Sequence, residues 1–212
     1  MDLSEHQDDE RRRARRFFNK TGLAFPVIER VVVPEYRELT ARLRLDPSWS
    51  VLDVGTGTGA LAQTLAERGH RVVGVDFSEK LLARARRRVP GVDFEHADIL
   101  APGTMQGRRF DLVTMAYVLH GMSPALRRQV LVRARELATR HVLIVDYARR
   151  GTWLTRLVEW VEGPHYFEFI RQPFAPALWD AGLGVTLRGR TRSGGGFWLC
   201  FDRSVAARSA RS

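Results

Sequence analysis

The chain has 212 residues, enough for one domain with a single core, and its 44% hydrophobic and 27% charged residues exclude a largely disordered chain. No apolar run approaches the roughly 20 residues of a membrane span, so we expect no membrane partner. The net charge of +10 comes from 34 Lys and Arg against 24 Asp and Glu, but these basic residues are scattered and, outside one segment, not interleaved with aromatics, so we expect no nucleic-acid partner.

The N-terminus and the single cysteine indicate a cytoplasmic protein. Residues 1–10 are acidic and polar rather than signal-like. Cys200 cannot form an internal disulfide, and no neighbouring His or Cys completes a metal site. We expect no metal, and we interpret Cys200 as a strand residue.

Residues 1–48 are predicted to form a helical appendage. A charged stretch over residues 8–19 ends in Phe17 and Phe18 and predicts a helix that docks this aromatic pair on the core or over a ligand. Two further helical patterns follow, over 26–33 and 35–45, with Pro34 at the start of the second.

Residues 50–147 are predicted to alternate strands with helices. The predicted strands are Val51–Val54, Val72–Val75, Val92–His96, Phe110–Ala116 and His141–Tyr147, and the predicted helices are Ala60–Arg68, Glu79–Arg88 and one that begins after Ser123. This alternation is typical of a Rossmann-like α/β fold, a doubly wound and mostly parallel sheet with helices on both faces.

The alternation breaks at residues 148–182, a segment too long for one crossover and rich in aromatic residues. We predict a helical insertion that forms an apolar lid over the ligand, or that packs on the sheet or forms a dimer interface. The strands Val185–Arg190 and Phe197–Phe201 follow and predict an antiparallel C-terminal hairpin over 183–202. The result is a seven-stranded sheet in a single domain covering residues 1–212.

The turn after the first strand organises the chain. Residues 51–59 read V-L-D-V-G-T-G-T-G, an apolar run with an acid followed by three glycines at alternate positions. Glycines there let the main chain approach a ligand, and the next helix points its free N–H groups into the same space. Asp53 would repel a pyrophosphate, so a cationic or hydroxylated ligand is indicated.

Several separated features together resemble the class I S-adenosylmethionine-dependent methyltransferases. They are the Asp-x-Gly-x-Gly-x-Gly turn, Asp76 at the end of strand 2, the Ala97-Asp98 pair, the Phe110-Asp111 opening of strand 4 and the final hairpin. The resemblance covers residues 50–202 and is strongest to the small-molecule enzymes of ubiquinone and menaquinone biosynthesis. It implies methyl transfer from S-adenosylmethionine to a small organic acceptor by in-line displacement, with S-adenosylhomocysteine as product, in a monomer or homodimer.

The resemblance also implies which residues surround the cofactor. Asp53 would face its amino group, Asp76 would accept both ribose hydroxyls, and Asp98 would accept from the adenine amine. Taken singly, Asp76 or Asp98 could equally be a turn or cap residue. The full implied set is Asp53, Gly55, Thr56, Gly57, Asp76, Phe77, Ala97, Asp98, Ile99, Met115, Ala116 and Tyr117.

A general base is optional for this reaction, because positioning supplies most of the catalysis. If the acceptor must lose a proton, His120 just past strand 4 is the first candidate, and His165 and Tyr166 in the insertion are the second. An imidazole that only binds a backbone carbonyl remains an open alternative for each histidine.

Three other functions remain open. The glycine turn also fits the dinucleotide pattern G-x-G-x-x-G/A, so a nicotinamide oxidoreductase matches this motif, although it needs neither Asp53 nor Asp98. A methyltransferase acting on RNA or protein through the basic surface is the second, and a non-catalytic partner-binding protein is the third. Strand 4 continues as Met115-Ala116-Tyr117-Val118, which lacks the Asn/Asp-Pro-Pro-Tyr/Phe loop of amino-methylating nucleic-acid enzymes.

Overall fold

The computed structural model describes residues 25–147, 169–171 and 173–205, with side chains from residue 29 onwards. The predicted helix over residues 8–19, with Phe17 and Phe18, lies outside the described residues. So does most of the predicted insertion, including His165 and Tyr166.

The described residues confirm the predicted α/β fold. The seven strands form one sheet in the order β3-β2-β1-β4-β5-β7-β6, in which neighbours are hydrogen-bonded. The pairs β1–β2, β2–β3 and β4–β5 are parallel, whereas β7 pairs antiparallel with both β5 and β6. In chain order the elements are α1 (Phe25–Leu43), β1 (Ser50–Val54), α2 (Ala60–Ala66), β2 (Arg71–Asp76), α3 (Glu79–Arg88), β3 (Asp93–His96), β4 (Phe110–Ala116), α4 (Pro124–Leu137), β5 (Ala138–Asp146), α5 (Phe174–Asp180), β6 (Leu183–Arg190) and β7 (Gly196–Asp202).

The chain divides into two compact units, Met1–Thr104 and Met105–Ser212. The first contains the elements from α1 to β3, and the second those from β4 to β7. The prediction of a single domain over residues 1–212 stays a prediction.

In the first unit, buried strands place the glycine turn at the edge where β1 ends. Val51 and Leu52 are fully buried in β1 and stand opposite Val72 and Val73 of β2. Helix α2 ends where the His70 N–H donates to the Leu65 carbonyl at 3.2 Å, after a left-handed Gly69. The predicted helix α3 is confirmed with both of its ends, and its Ser78 hydroxyl accepts from the Leu81 N–H.

The prediction of two helices separated at Pro34 is wrong. Helix α1 runs unbroken from Phe25 to Leu43 with Pro34 inside it. A proline removes only one backbone donor from a helix, and the residues beyond it continue to bury one face, since Tyr36, Leu39 and Leu43 are all buried. Burial of that face therefore outweighs the cost of the interior proline.

In the second unit, β4 is buried along most of its length, as its continuous hydrophobicity predicts. β5 begins at Ala138 rather than at the predicted His141, because Thr139 and Arg140 are tied to the start of β4 by hydrogen bonds to the Phe110 carbonyl and to Asp111. The predicted hairpin of β6 and β7 is confirmed. Cys200 is a buried strand residue as predicted, and burial raises the pKa of its thiol to about 12.

We predict that Gly74→Ala destabilises the first unit by about 1–3 kcal/mol. A Cβ at Gly74 would lie 2.7 and 2.8 Å from ring carbons of Phe94 and 2.9 Å from the Thr56 hydroxyl oxygen, distances too short for real contacts. Denaturant unfolding measures the loss. Phe94→Leu should recover part of it in the double variant, so that the two changes cost less together than their sum.

Gly121→Ala is the control, because a Cβ there meets nothing within 4 Å. If Gly74→Ala unfolds at the same denaturant concentration as Gly121→Ala, this description of the β2–β3 contact is incorrect.

Candidate functional site

The turn after β1 has a backbone that demands glycine at alternate positions. Gly55, Gly57 and Gly59 have φ values of +67°, +55° and +77°. Residues other than glycine rarely adopt this left-handed backbone conformation, whereas glycine does so without steric cost. The intervening Thr56 donates its N–H to the Val75 carbonyl at 3.0 Å, which ties the turn to β2.

Asp53, predicted to face the ligand, forms a hydrogen bond with a residue of the turn. The Thr56 hydroxyl donates to its carboxylate at 2.6 Å, and the Asp53 side chain is 2% exposed. A buried carboxylate needs such donors, because leaving it unpaired would be costly. The structure therefore gives Asp53 a defined part in shaping the turn.

Asp76, at the end of β2, is the second carboxylate on the turn. One of its oxygens accepts the Gly57 N–H at 2.9 Å and the other accepts the Ser78 N–H at 2.8 Å. Burial raises the pKa of Asp76, and these two backbone donors oppose the shift.

The donor set around Asp76 fits a ribose. A carboxylate offers about four acceptor positions, and the two backbone N–H groups take one on each oxygen. Ribose hydroxyls are donors that can use the remaining capacity. The remaining acceptor capacity of this buried carboxylate therefore fits the predicted ligand.

A further carboxylate of the first unit, Glu29 of α1, was not predicted from the sequence. Arg84 and Arg88 of α3 form ion pairs with it at 3.0 Å each. Glu29 lies 55 positions before Arg84, in a helix without any motif, so no local pattern connects the two residues.

The other predicted cofactor residues of the first unit follow β2 and β3. Phe77 is half-buried, and its carbonyl lies 2.9 Å from His96 Nε2. The Ala97 N–H donates to the Asp76 carbonyl at 3.1 Å, which keeps the two strand ends together. Asp98 accepts a hydrogen bond from the Leu100 N–H at 2.9 Å, as a turn residue does. Ile99 is buried.

The remaining cofactor candidates end β4 in the second unit. The Met115 side chain is fully buried, and Ala116 is half-buried. Tyr117 has φ +55°, uncommon for a side chain of its size, and its N–H donates to the Val145 carbonyl at 2.7 Å. A Cβ on Gly195 would lie 2.7 Å from the Tyr117 hydroxyl, so the β6–β7 turn approaches this tyrosine closely.

His120, the first candidate base, is held by a buried carboxylate. Its Nδ1 lies 2.8 Å from Asp146, which ends β5 and is completely buried, and His120 itself is 5% exposed. Asp146 also accepts the N–H groups of Leu119, His120 and Tyr147, at 2.9, 3.3 and 2.8 Å. The four donors fix both the imidazole and the segment after β4.

Aromatic rings surround this histidine. The rings of His120 and Tyr147 meet edge-on at 4.8 Å, and Tyr117 meets Tyr147 edge-on at 5.0 Å. Phe169 lies 6.5 Å from His120 and 4.7 Å from the guanidinium of the buried Arg127. The imidazole is therefore buried among aromatic rings and beside the Asp146 carboxylate, where charges are less screened than in water.

Residues 51–141 match a family model described as a methyltransferase domain. The resemblance to the class I S-adenosylmethionine-dependent methyltransferases is thereby confirmed over these residues.

Curated relatives match this chain over part of their length. Trans-aconitate 2-methyltransferase of Paracidovorax citrulli is 41% identical over 36% of this chain and 30% of that protein. Demethylmenaquinone methyltransferase of Beutenbergia cavernae is 38% identical over 38% of this chain and 33% of that protein. An uncharacterised methyltransferase of Synechocystis is 33% identical over 53% of each. The chain thus spans about a third to about half of these relatives.

Solved structures share the fold. Magnesium protoporphyrin IX methyltransferase from Synechocystis, with bound S-adenosylhomocysteine, superposes with a TM-score of 0.64 at 22% identity, over 90% of this chain and 98% of that one. Mitomycin 7-O-methyltransferase gives 0.68 at 17% identity, over 88% of this chain and 60% of that one.

In the described part of the chain, no three or more His, Cys, Asp or Glu side chains are grouped so as to hold a metal ion. Nor does any helix described there have the length and hydrophobicity needed to cross a bilayer.

We predict that Asp146→Asn lowers the free energy of unfolding by at least about 2 kcal/mol. An asparagine would place an NH₂ group, itself a donor, against backbone N–H groups that now donate to the carboxylate. Asp111→Asn is the matched control, since its pair with Arg140 is partly exposed and should be worth about 0–1 kcal/mol. Equal, small losses in the two variants would contradict the structural role of Asp146.

Proposed function

We propose that this protein transfers the methyl group of S-adenosylmethionine to a small organic acceptor and releases S-adenosylhomocysteine. The observation that carries the proposal is the buried Asp76 carboxylate, which is joined to the Gly57 N–H and has acceptor capacity to spare. A bound cofactor supplies a methyl group on a positively charged sulfur. The main task of the chain is then to orient the reactants and exclude water.

The proposed cofactor residues of the first unit have distinct tasks. Asp76 accepts the ribose hydroxyls, and the backbone of Gly55 to Gly57 contacts the amino-acid part of the ligand. Phe77 packs on the adenine, and Asp98 accepts from its amine. Met115, Ala116 and Tyr117 of the second unit complete the proposed set.

His120 is proposed to take the acceptor's proton. Asp146 binds Nδ1, which directs proton transfer to Nε2 and stabilises the imidazolium once it forms. The tight set of four donors on Asp146 keeps the carboxylate in place during this step.

The names of relatives support a small acceptor. The trans-aconitate and demethylmenaquinone methyltransferases, together with the magnesium protoporphyrin IX and mitomycin enzymes among solved structures, are named for small molecules. A protein-L-isoaspartate O-methyltransferase of Salinibacter ruber, 30% identical over 61% of this chain, is named for a protein acceptor. Assays with labelled S-adenosylmethionine against small phenols, carboxylic acids and quinols, and separately against protein and RNA, distinguish these acceptor classes.

A cytoplasmic location and a monomeric or homodimeric state are part of the same proposal. Cell fractionation tests the location, and light scattering at several protein concentrations tests the assembly.

We predict that the intact protein binds S-adenosylhomocysteine and that Asp76→Ala weakens this binding by about 1.5–3 kcal/mol, the worth of hydrogen bonds to a charged group. Calorimetry measures the affinity. Asp93→Ala is the control, because Asp93 is an exposed carboxylate on the neighbouring strand β3. Absence of binding by the wild-type protein, or tight binding of NADH instead, would refute the proposed function.

The same measurement has a pH dependence. Burial raises the pKa of Asp76, and only the ionised carboxylate can accept from both hydroxyls. Affinity should therefore fall as the pH is lowered through this raised pKa, and the Asp76→Ala variant should lose that part of the pH dependence.

We predict that His120→Gln lowers kcat about 100- to 10,000-fold on an acceptor that must lose a proton, with little change in S-adenosylhomocysteine affinity. His141→Gln is the matched control, since His141 is a partly buried histidine of β5 that contacts the Cys200 carbonyl. An unchanged kcat in His120→Gln would leave the histidine with a structural role alone.

A further inference from the structure

One peptide group just after β2 is bound at both of its ends by side chains. This group joins Phe77 to Ser78. Its N–H donates to the Asp76 carboxylate at 2.8 Å, and its carbonyl oxygen lies 2.9 Å from His96 Nε2. A carbonyl oxygen can only accept, so His96 Nε2 carries a proton and donates it to this bond.

The two side chains that bind this peptide come from neighbouring positions in the sheet. Asp76 and His96 are register partners in the parallel pair of β2 and β3, and each is the last residue of its strand. The Ala97 N–H donates to the Asp76 carbonyl at 3.1 Å, just beyond that pair. His96 therefore reaches the Phe77 carbonyl from a backbone that the sheet already holds in place.

The two bonds together fix the orientation of the peptide plane. The peptide between Phe77 and Ser78 is trans, so its C=O and its N–H point in opposite directions. Partners on both sides restrict rotation of the plane, whereas a single partner would let it tilt. The Phe77 Cα lies in this plane, so the direction of the half-buried Phe77 side chain depends on it.

The two hydrogen bonds also strengthen each other. A donor on a carbonyl oxygen polarises the peptide group, which makes the N–H at the other end a better donor. That N–H donates to Asp76, whose side chain is 6% exposed and whose other oxygen accepts the Gly57 N–H at 2.9 Å. His96 is itself exposed, but the bond that it strengthens ends on a buried carboxylate.

We propose that His96 is a positioning residue for cofactor binding, which orients the peptide between Phe77 and Ser78 and, through this peptide, the Asp76 carboxylate. The proposal rests on the proposed function, in which Asp76 accepts the ribose hydroxyls and Phe77 packs on the adenine. This role requires no contact between His96 and the ligand. A ligand that binds groups already in place does not bear the cost of ordering them.

Substitutions that keep or remove the donor test this role. In His96→Gln the side chain retains an NH₂ donor at about the reach of the imidazole Nε2, whereas in His96→Leu it has no donor. His141→Leu is the matched control. His141 lies in β5, and its Nδ1 is 3.3 Å from the Cys200 carbonyl of β7, so this change also removes a contact between a histidine and a carbonyl.

Calorimetry with S-adenosylhomocysteine and the full-length chain gives the first readout. We expect His96→Leu to weaken binding about three- to tenfold, the effect of losing one hydrogen bond. His96→Gln should bind nearly as tightly as the wild type, and His141→Leu should bind like the wild type. In the Asp76→Ala background, His96→Leu should cost less than in the wild type, because the peptide has already lost its bond to the carboxylate.

A second readout does not depend on the ligand. Amide hydrogen exchange of Ser78 in the free protein should become faster in His96→Leu and remain unchanged in His96→Gln and His141→Leu. If His96→Leu fails to fold, His96→Ala carries the same test, since it removes the donor without placing a large apolar side chain at an exposed position.

The outcomes separate the two proposals. Wild-type affinity in folded His96→Leu would overturn the role of His96 while leaving the proposed function intact. Equal losses in His96→Gln and His96→Leu would also overturn it, because the effect would not depend on a donor, and so would full additivity with Asp76→Ala. A wild-type protein that does not bind S-adenosylhomocysteine would instead refute the proposed function, and Ser78 exchange would still report whether His96 holds the peptide.

Discussion

The turn after β1 must keep three left-handed glycines in place, and it does so through carboxylates bound to the residues between and beside them. Such a backbone is accessible to glycine, but it is not enforced by glycine, whose freedom makes the turn costly to order. Asp53 and Asp76 supply the missing constraint by accepting from Thr56 and Gly57. Because β1 and β2 are parallel, Asp76 ends its strand at the edge where the turn begins.

The two units use buried strand-end carboxylates in different ways. Asp146 ends β5 and receives four donors, which fill the acceptor positions of its two oxygens. Asp76 ends β2 and receives two. Asp146 therefore stabilises a fixed arrangement around His120, whereas Asp76 keeps acceptor positions for a ligand. Burial raises the pKa of Asp76 because its donors do not fully replace water, and further donors from a ligand would offset that cost.

Strand positions were predictable because buried strands between turn residues leave a clear pattern. β4 and α3 begin and end at the predicted residues, and Ser78 caps α3 as its place directly before the helical pattern predicts. Asp53 and Asp76 could be found because each sits at a fixed distance from a strand end. Pro34 led to the wrong prediction of two helices in place of α1, because local helix propensity does not report how much apolar surface a helix buries.

Contacts between distant residues left no trace in the sequence. Glu29 pairs with Arg84, 55 positions further along the chain, and Asp146 acts through the pairing of β4 with β5, which brings the end of β5 beside the segment carrying His120. Periodicity reports only neighbours along one element. Partners that meet from different elements are therefore recognisable only once the fold is known.

Some of the chain's many arginines connect elements of the fold, a role that the net charge alone does not indicate. Arg88 binds Glu29 with one nitrogen and Gln63 with another, each at 3.0 Å, and so links α1, α2 and α3 at one point. A lysine carries a single point charge and could not span both partners, whereas the planar guanidinium presents donors in several directions. Arg127 uses the same geometry in the second unit to bind the Leu119 and Met122 carbonyls while its flat face covers Phe169. Arginines engaged in this way hold the segments that carry the site, which is why a surplus of positive charge here does not require a nucleic-acid partner.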